Sequence, residues 1–158
     1  MKNLASKLKA KADKVNQERV AKEKIDQQER MEKEEAKVEK IRQLTWERFN
    51  SDWEKNITNA AEEGKYSCEV YRLTKYDMPK SRFGSWQTPN SNLPTETIFR
   101  VISPQITEEN ITGTAKKVFY FLKNKELNPK LELKVASYEM DKYYGQMNNY
   151  VVTITANW

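Results

Sequence analysis

Apolar residues follow two different patterns on either side of Trp46. Before it, large apolar side chains are scattered among charged ones, and a seven-residue step from Leu8 meets Lys22 and Glu29 instead of apolar positions. From Trp46 onward, apolar residues recur at steps of three and four, which places them on one stripe of an α-helix. This Trp46 stripe comprises Trp46, Phe49, Trp53, Ile57 and Ala60. We expect Gly64 to end the helix, because glycine closes a last turn in the left-handed conformation without steric cost.

Extended segments follow this helix. Residues 66–73 are rich in β-favouring side chains and predict a first strand, with Tyr66, Cys68 and Val70 on one side. Cys68 is then interpreted as a small core residue, since neither a histidine nor a second cysteine is present to activate it. Residues 98–103 predict another short strand, stopped by a proline that lacks a backbone donor.

A second helix is predicted over residues 108–127. Thr107 has the type and position of an N-cap, and acids follow it in the first turn, where the helix dipole favours them. Gly113 is expected on the outer, tolerant side of this helix. Its apolar stripe comprises Ile111, Ala115, Val118 and Leu122.

The end of the chain predicts a β-hairpin. Residues 131–138 and 150–158 alternate apolar and polar side chains, and the polar turn around Gly145 separates them. We therefore predict an α+β fold, in which a long charged N-terminal helix precedes a small, mostly antiparallel sheet covered on one face by two helices. Residues 1–45 form a charged helical arm, and residues 46–158 form the domain.

The arm has the composition of a solvated helix. It contains no glycine or proline, and thirteen basic and nine acidic side chains account for most of the net charge of +5. One interpretation is a helix in water; the other is a helix that lies on a partner, as in a coiled coil or another oligomer. The apolar residues that would make that contact are Leu4, Leu8, Val38, Ile41 and Leu44.

The first twelve residues carry four lysines and no acid. This pattern suits nucleic acid, an anionic membrane or an acidic protein groove. The alternative is a solvated tail, the usual state of short charged ends. No apolar run is long enough for a signal-peptide core or a membrane span, so we expect neither a membrane partner nor secretion through a signal peptide.

Residues 74–97 predict a long loop rich in aromatic residues and proline. Loops of this length within a compact domain tend to be functional or disordered. The residues expected to make contacts are Tyr76, Arg82, Phe83 and Trp86. We rank contact with another protein first, docking on the protein's own sheet second, and stacking on nucleic acid third.

Residue types needed for catalysis are scarce. The chain has no histidine, and its domain acids fall in separate elements without a spacing that indicates a pair. Neither a phosphate-binding glycine motif nor a metal-ligand cluster is recognisable. We therefore expect no catalytic residues, no cofactor and no metal site, and predict that the protein is not an enzyme.

The motif Ala-Ala-x-x-Gly-Lys-Tyr-Ser at residues 60–67, together with the terminal strand Tyr-Val-Val-Thr-Ile-Thr-Ala-Asn-Trp, resembles small uncharacterised proteins of tailed bacteriophages. The resemblance covers roughly residues 55–158, apart from the 74–97 loop, which looks like an insertion. It implies a virion component or an accessory protein in the cytoplasm of an infected bacterium.

The function expected from the sequence is a structural or assembly module in a virion. Its partners would be further copies of itself or other virion proteins, contacted through the arm and the 74–97 loop. The alternative is an accessory protein that binds a host protein or, less favoured, nucleic acid.

Overall fold

The computed structural model describes residues 3–77, 86–87, 98–100, 106–143 and 145–158. Helix α1, Leu4–Glu62, runs for 59 residues. It ends as predicted at Gly64, which has a φ of 79°. The Gly64 N–H donates to the Ala61 carbonyl at 2.9 Å, and the Lys65 N–H donates to the Ala60 carbonyl at 3.0 Å. These two bonds satisfy carbonyls that the end of a helix otherwise leaves unpaired.

Two compact units divide the chain, Met1–Ile41 and Arg42–Trp158. The first unit is the N-terminal part of α1. Side chains four residues apart form ion pairs on its surface, such as Lys14 with Glu18 at 3.9 Å and Arg19 with Glu23 at 3.7 Å. Pairs of this kind stabilise a helix by only about 0.2–0.5 kcal/mol each.

In the described part of the second unit, five strands form an antiparallel sheet. Its strands are β1 Ser67–Arg72, β2 Trp86–Gln87, β3 Ile98–Arg100, β4 Lys130–Asp141 and β5 Gly145–Asn157. Strand β5 is central, with β4 along one edge and both β1 and β3 along the other, while β2 pairs with β3. The predicted hairpin is confirmed, since β4 and β5 pair from Lys130 opposite Thr155 to Asp141 opposite Gly145.

One face of this sheet packs against α1 and against helix α2, Gly113–Asn124. Phe49 and Ala60 of the Trp46 stripe are buried, and the stripe's other members are partly buried against the core. Phe121 of α2 meets Phe49 and Trp53 edge to face, with ring centroids 5.6 Å and 5.1 Å apart. The predicted α+β fold, with two helices on one face of the sheet, is therefore confirmed.

The buried side of β1 differs from the prediction. A bulge between Glu69 and Tyr71 shifts the register against β5. After the bulge, Tyr71 and Leu73 are the buried side chains, whereas Tyr66 is exposed. The sequence predicted one side for Tyr66, Cys68 and Val70. Cys68 and Val70 are both half-buried and Val70 packs against the core, whereas Tyr66 lies before the first residue of β1. The bulge brings Tyr71 to the buried side, because it inserts one residue and changes the side on which later side chains fall.

Helix α2 is shorter than predicted. Residues Glu108–Asn110 form a separate 3₁₀ turn, in which the Thr107 N–H donates to Asn110 Oδ1 at 2.9 Å. The α-helix begins only at Gly113, whose φ is 59°. The expectation that Gly113 lies on a tolerant helix face was therefore wrong, since the residue lies at a left-handed junction between the two segments.

We expect Gly113→Ala to destabilise the protein more than Gly145→Ala. Both glycines have positive φ, 59° and 75°, so either alanine should cost about 1–2 kcal/mol in backbone strain. A Cβ on Gly113 would also lie 2.8 Å from Arg42 Nε and 3.1 Å from the Tyr76 carbonyl, whereas none would meet an atom within 4 Å at Gly145. This crowding should add roughly 1–3 kcal/mol in urea titration. Equal losses in the two variants would show that Arg42 moves away freely.

Candidate interaction surfaces

The Asp77 carboxylate lies at the centre of a buried polar cluster. Its Oδ1 accepts the Ala115 N–H at 2.9 Å. Its Oδ2 accepts the Thr74 N–H at 2.7 Å, the Thr74 hydroxyl at 3.0 Å and the Tyr71 phenol at 2.8 Å. Ala115 is the third residue of α2, and the side chain of Thr112 makes no capping bond. Asp77 therefore caps α2 from a distant part of the sequence.

Arg42 joins α1 to the same cluster. Its guanidinium donates to the Tyr76 carbonyl at 3.2 Å, close to Gly113. Its own carbonyl accepts the hydroxyls of Thr45 and Thr114, both at 2.9 Å. The cluster thus connects α1, the turn after β1 and the start of α2.

The carboxylate at the centre of the cluster is shielded from solvent. Asp77 is only 1 % exposed. Burial raises the pKa of the Asp77 carboxyl above its ordinary value, while the N–H groups of Thr74 and Ala115 and the hydroxyls of Tyr71 and Thr74 offset part of the rise. Burial and the neighbouring Asp77 charge raise the pKa of the Tyr71 phenol, so it stays protonated and donates its hydrogen.

The arm residues predicted to make contacts differ in exposure. Leu4 is 69 % exposed and Leu8 59 %. Leu44 is also exposed, whereas Val38 and Ile41 are half-buried. Their role in contacts stays a prediction.

The arm carries further exposed apolar side chains that were not among the predicted contacts. They are Val15, Val20, Ile25 and Met31. Together with Leu4 and Leu8, they leave large apolar groups exposed to water from Leu4 to Met31. Their spacing did not predict a contact surface, because no single helical repeat connects them.

The predicted loop residues lie in different settings. Tyr76 is half-buried in the 3₁₀ turn Lys75–Asp77, and Trp86 belongs to the short strand β2. Arg82 and Phe83 lie outside the described residues. The structure brings Asp77 and Arg42 into one cluster in this region, and the sequence analysis predicted neither residue as part of a site. The Thr-x-x-Asp spacing of residues 74–77 is typical of a capped turn and could have indicated Asp77.

A groove of about 400 Å³ lies between α1 and β1. Its charged lining includes Arg48 and Asp52 on the helix and Glu69 and Arg72 on the strand. Burial pushes the pKa of Glu69 up, but hydrogen bonds and charge from Lys134 and Arg72 bring it below its ordinary value. Glu69 lies 2.7 Å from the Lys134 ammonium and 3.2 Å from the Arg72 guanidinium. These neighbours favour the ionised form of the Glu69 carboxyl.

Cys68, at the helix-facing side of β1, is half-buried, and its Sγ lies 3.6 Å from the Asn56 carbonyl. Burial raises the pKa of its thiol, which disfavours the nucleophilic thiolate. Among the described residues, no group of three or more Cys, Asp or Glu side chains is placed to hold a metal ion.

Within the same described ranges, no helix has the length and apolar character needed to cross a membrane. Comparison of the chain with known protein families, with curated proteins and with solved structures found no match.

Proposed function

We propose that the protein is a non-enzymatic interaction module that assembles with copies of itself or with other protein subunits through the first part of α1. Every side chain from Asn3 to Lys37 is exposed, including six large apolar ones with exposed fractions of 44–69 %. Such side chains on a charged helix are available for burial against another protein.

Burial of these groups is the largest stabilisation open to the arm. Covering one Leu, Val, Ile or Met side chain contributes about 1.5–3 kcal/mol. The surface ion pairs contribute roughly 0.2–0.5 kcal/mol each. A helix of mostly polar composition gains most of its stability from packing an apolar face, so the arm should be most stable when a partner covers it.

The arrangement of the apolar groups favours more than one neighbour. Leu4, Leu8 and Val15 share one side of the helix, while Val20 and Met31 lie roughly 150° away at 3.6 residues per turn. A two-stranded coiled coil buries only one continuous seam. A bundle of three or more helices covers both sides. We therefore favour a bundle over a two-stranded zipper.

A bacteriophage virion is the setting that the sequence resemblance supports. The alternative is an accessory protein that binds a host component during infection. The exposed lysines near the N-terminus, Lys7, Lys9 and Lys11, support that alternative, because they suit an acidic protein groove or the phosphates of nucleic acid.

Light scattering of the full chain over a range of concentrations tests the assembly. We expect masses of three or more chains at high concentration. Replacing Leu4, Leu8 and Val15 together by glutamine should shift the association midpoint at least about tenfold, because three buried contacts are lost. Glutamine keeps the helix propensity high.

Tyr66→Gln combined with Met140→Gln is the matched control, since both side chains are exposed in the other unit. These changes should leave the association midpoint within about twofold, as expected for surface positions outside a contact. If the full chain stays a monomer at every concentration, self-assembly is wrong and only a foreign partner remains. Mass spectrometry of purified particles would then separate a virion subunit, present at a fixed copy number, from an accessory protein.

A further inference from the structure

The outward side of α2 carries charge of one sign. Between Gly113 and Lys125 the chain has four lysines and no acid. Lys116, Tyr120 and Lys123 recur at steps of four and three, on the side of α2 opposite its buried residues. All three are exposed, and Tyr120 is 42 % exposed. With Lys117, which is also exposed, they define what we call the α2 basic face.

Aromatic rings hold the lysines near this face. The Lys117 ammonium lies 3.9 Å from the centroid of the Trp46 ring, and the Lys123 ammonium lies 5.9 Å from that of Tyr120. Lys125 lies over Phe121 in the same way, at 5.7 Å. Cation–π contact restricts these flexible side chains, so less conformational entropy is lost when an anion binds.

The basic face is little neutralised by its surroundings. Within the described ranges, the Lys123 ammonium lies 3.8 Å from the Glu108 carboxylate, while Lys116 and Lys117 form no ion pair. The pair with Glu108 is at the surface, where such pairs contribute about 0–1 kcal/mol and exchange readily for another anion. At least two ammonium groups are therefore available to a partner.

We propose that the α2 basic face binds an acidic segment of a partner protein. Carboxylates of such a segment would meet the ammonium groups, and its aliphatic carbons would pack on Tyr120. Single-stranded nucleic acid fits less well, because bases bind mainly by stacking on aromatic rings and an ammonium already lies over one face of Trp46 and of Tyr120. This surface is separate from the arm contacts proposed above and does not depend on them.

Binding of fluorescent poly-L-glutamate to the full chain tests the proposal. Fluorescence anisotropy at low salt should show binding that weakens as salt is added. Changing Lys116, Lys117 and Lys123 together to glutamine should weaken it at least about tenfold, since three ion contacts are lost. The matched control changes Lys55, Lys130 and Lys142 to glutamine, which removes the same charge from exposed positions outside α2 and outside the first part of α1. That control should bind within about twofold of the natural chain, because its lysines do not belong to the α2 basic face.

The outcomes separate the proposal from general electrostatic attraction. Equal losses in the two triple variants, or no binding of poly-L-glutamate by the natural chain, would overturn it. Tighter binding of a thymidine oligonucleotide, abolished by the same α2 changes, would assign the face to nucleic acid instead. Urea titration of both variants confirms that each remains folded, so that a loss of binding reports the surface alone.

Discussion

Replacing Asp77 by alanine is expected to destabilise the protein by about 3–5 kcal/mol, the range for removing one partner from a buried charged network. The change leaves the Thr74 and Ala115 N–H groups and the Tyr71 phenol without their acceptor. It also removes the cap of α2. Urea titration followed by near-ultraviolet circular dichroism measures the loss. Asp52→Ala, at an exposed position of α1, is the control and should change the free energy of unfolding by less than about 0.5 kcal/mol.

The difference in free energy of unfolding between the natural chain and a variant with an uncharged residue at position 77 should depend on pH. Its folded-state pKa is raised above its unfolded value, so the folded protein binds the proton more tightly. The stability contributed by the protonated carboxyl is therefore fully present below the unfolded pKa, about 4, and falls as pH rises through the folded pKa. Asp77→Asn removes this pH-dependent change in stability, because the amide does not titrate, while its oxygen can still accept hydrogen bonds. A difference between natural chain and Asp77→Asn that grows with rising pH in this interval would contradict the raised pKa.

Phe49→Ala should cost about 3–5 kcal/mol, the range for emptying a large aromatic site in a core. Phe49 is 4 % exposed, and its ring meets Phe121 and Tyr71 edge to face, with centroids 5.6 Å and 6.5 Å apart. Phe49 belongs to the cluster of buried core side chains, and because protein cores are close-packed, alanine at this position is expected to leave a cavity.

Two control variants make this measurement specific. Phe49→Leu keeps most of the apolar volume and should lose less than alanine does. Arg48→Ala, at the adjacent exposed position of the same helix, should stay within about 0.5 kcal/mol of the natural chain. A loss below about 1 kcal/mol for Phe49→Ala would mean that the Trp46 stripe is covered by something other than the domain's own core.

The elements that the sequence predicts well are those with a local repeat. The Trp46 stripe repeats at 3.6 residues, and residues 131–135 and 150–158 alternate at two. Each pattern predicts which side of its helix or strand is buried, even when the element that packs on that side is unknown. The stripe and β5 therefore lie where the prediction places them, with Phe49 and Ile154 in one core.

The features that the sequence did not predict depend on contacts between distant residues. The bulge in β1 lies in its pairing with β5, so nothing within residues 66–73 shows that Tyr71 is more fully buried than Val70. Gly113 resembles a tolerated helix residue until Arg42 and the Tyr76 carbonyl are seen beside it. Likewise, Asp77 resembles a loop acid until the Ala115 N–H, 38 positions later, is placed against it.

The arm shows a different limit of sequence reasoning. Its composition predicts a helix, and the structure contains one. Helix propensity does not say whether that helix is stable alone in water or only on a partner. Surface ion pairs stabilise it little, whereas burial of a few apolar side chains against a partner would stabilise it more. The exposure of Leu4, Leu8 and their neighbours makes the partner the central question.

Amide hydrogen exchange along α1 at two protein concentrations tests this account most directly. We predict that residues 4–37 exchange rapidly in dilute solution and become protected when the chain is concentrated, while residues 46–60 are protected in both conditions and serve as the internal reference. Protection of residues 4–37 that is strong and equal at both concentrations would contradict the account, because the arm would then be stable without any partner.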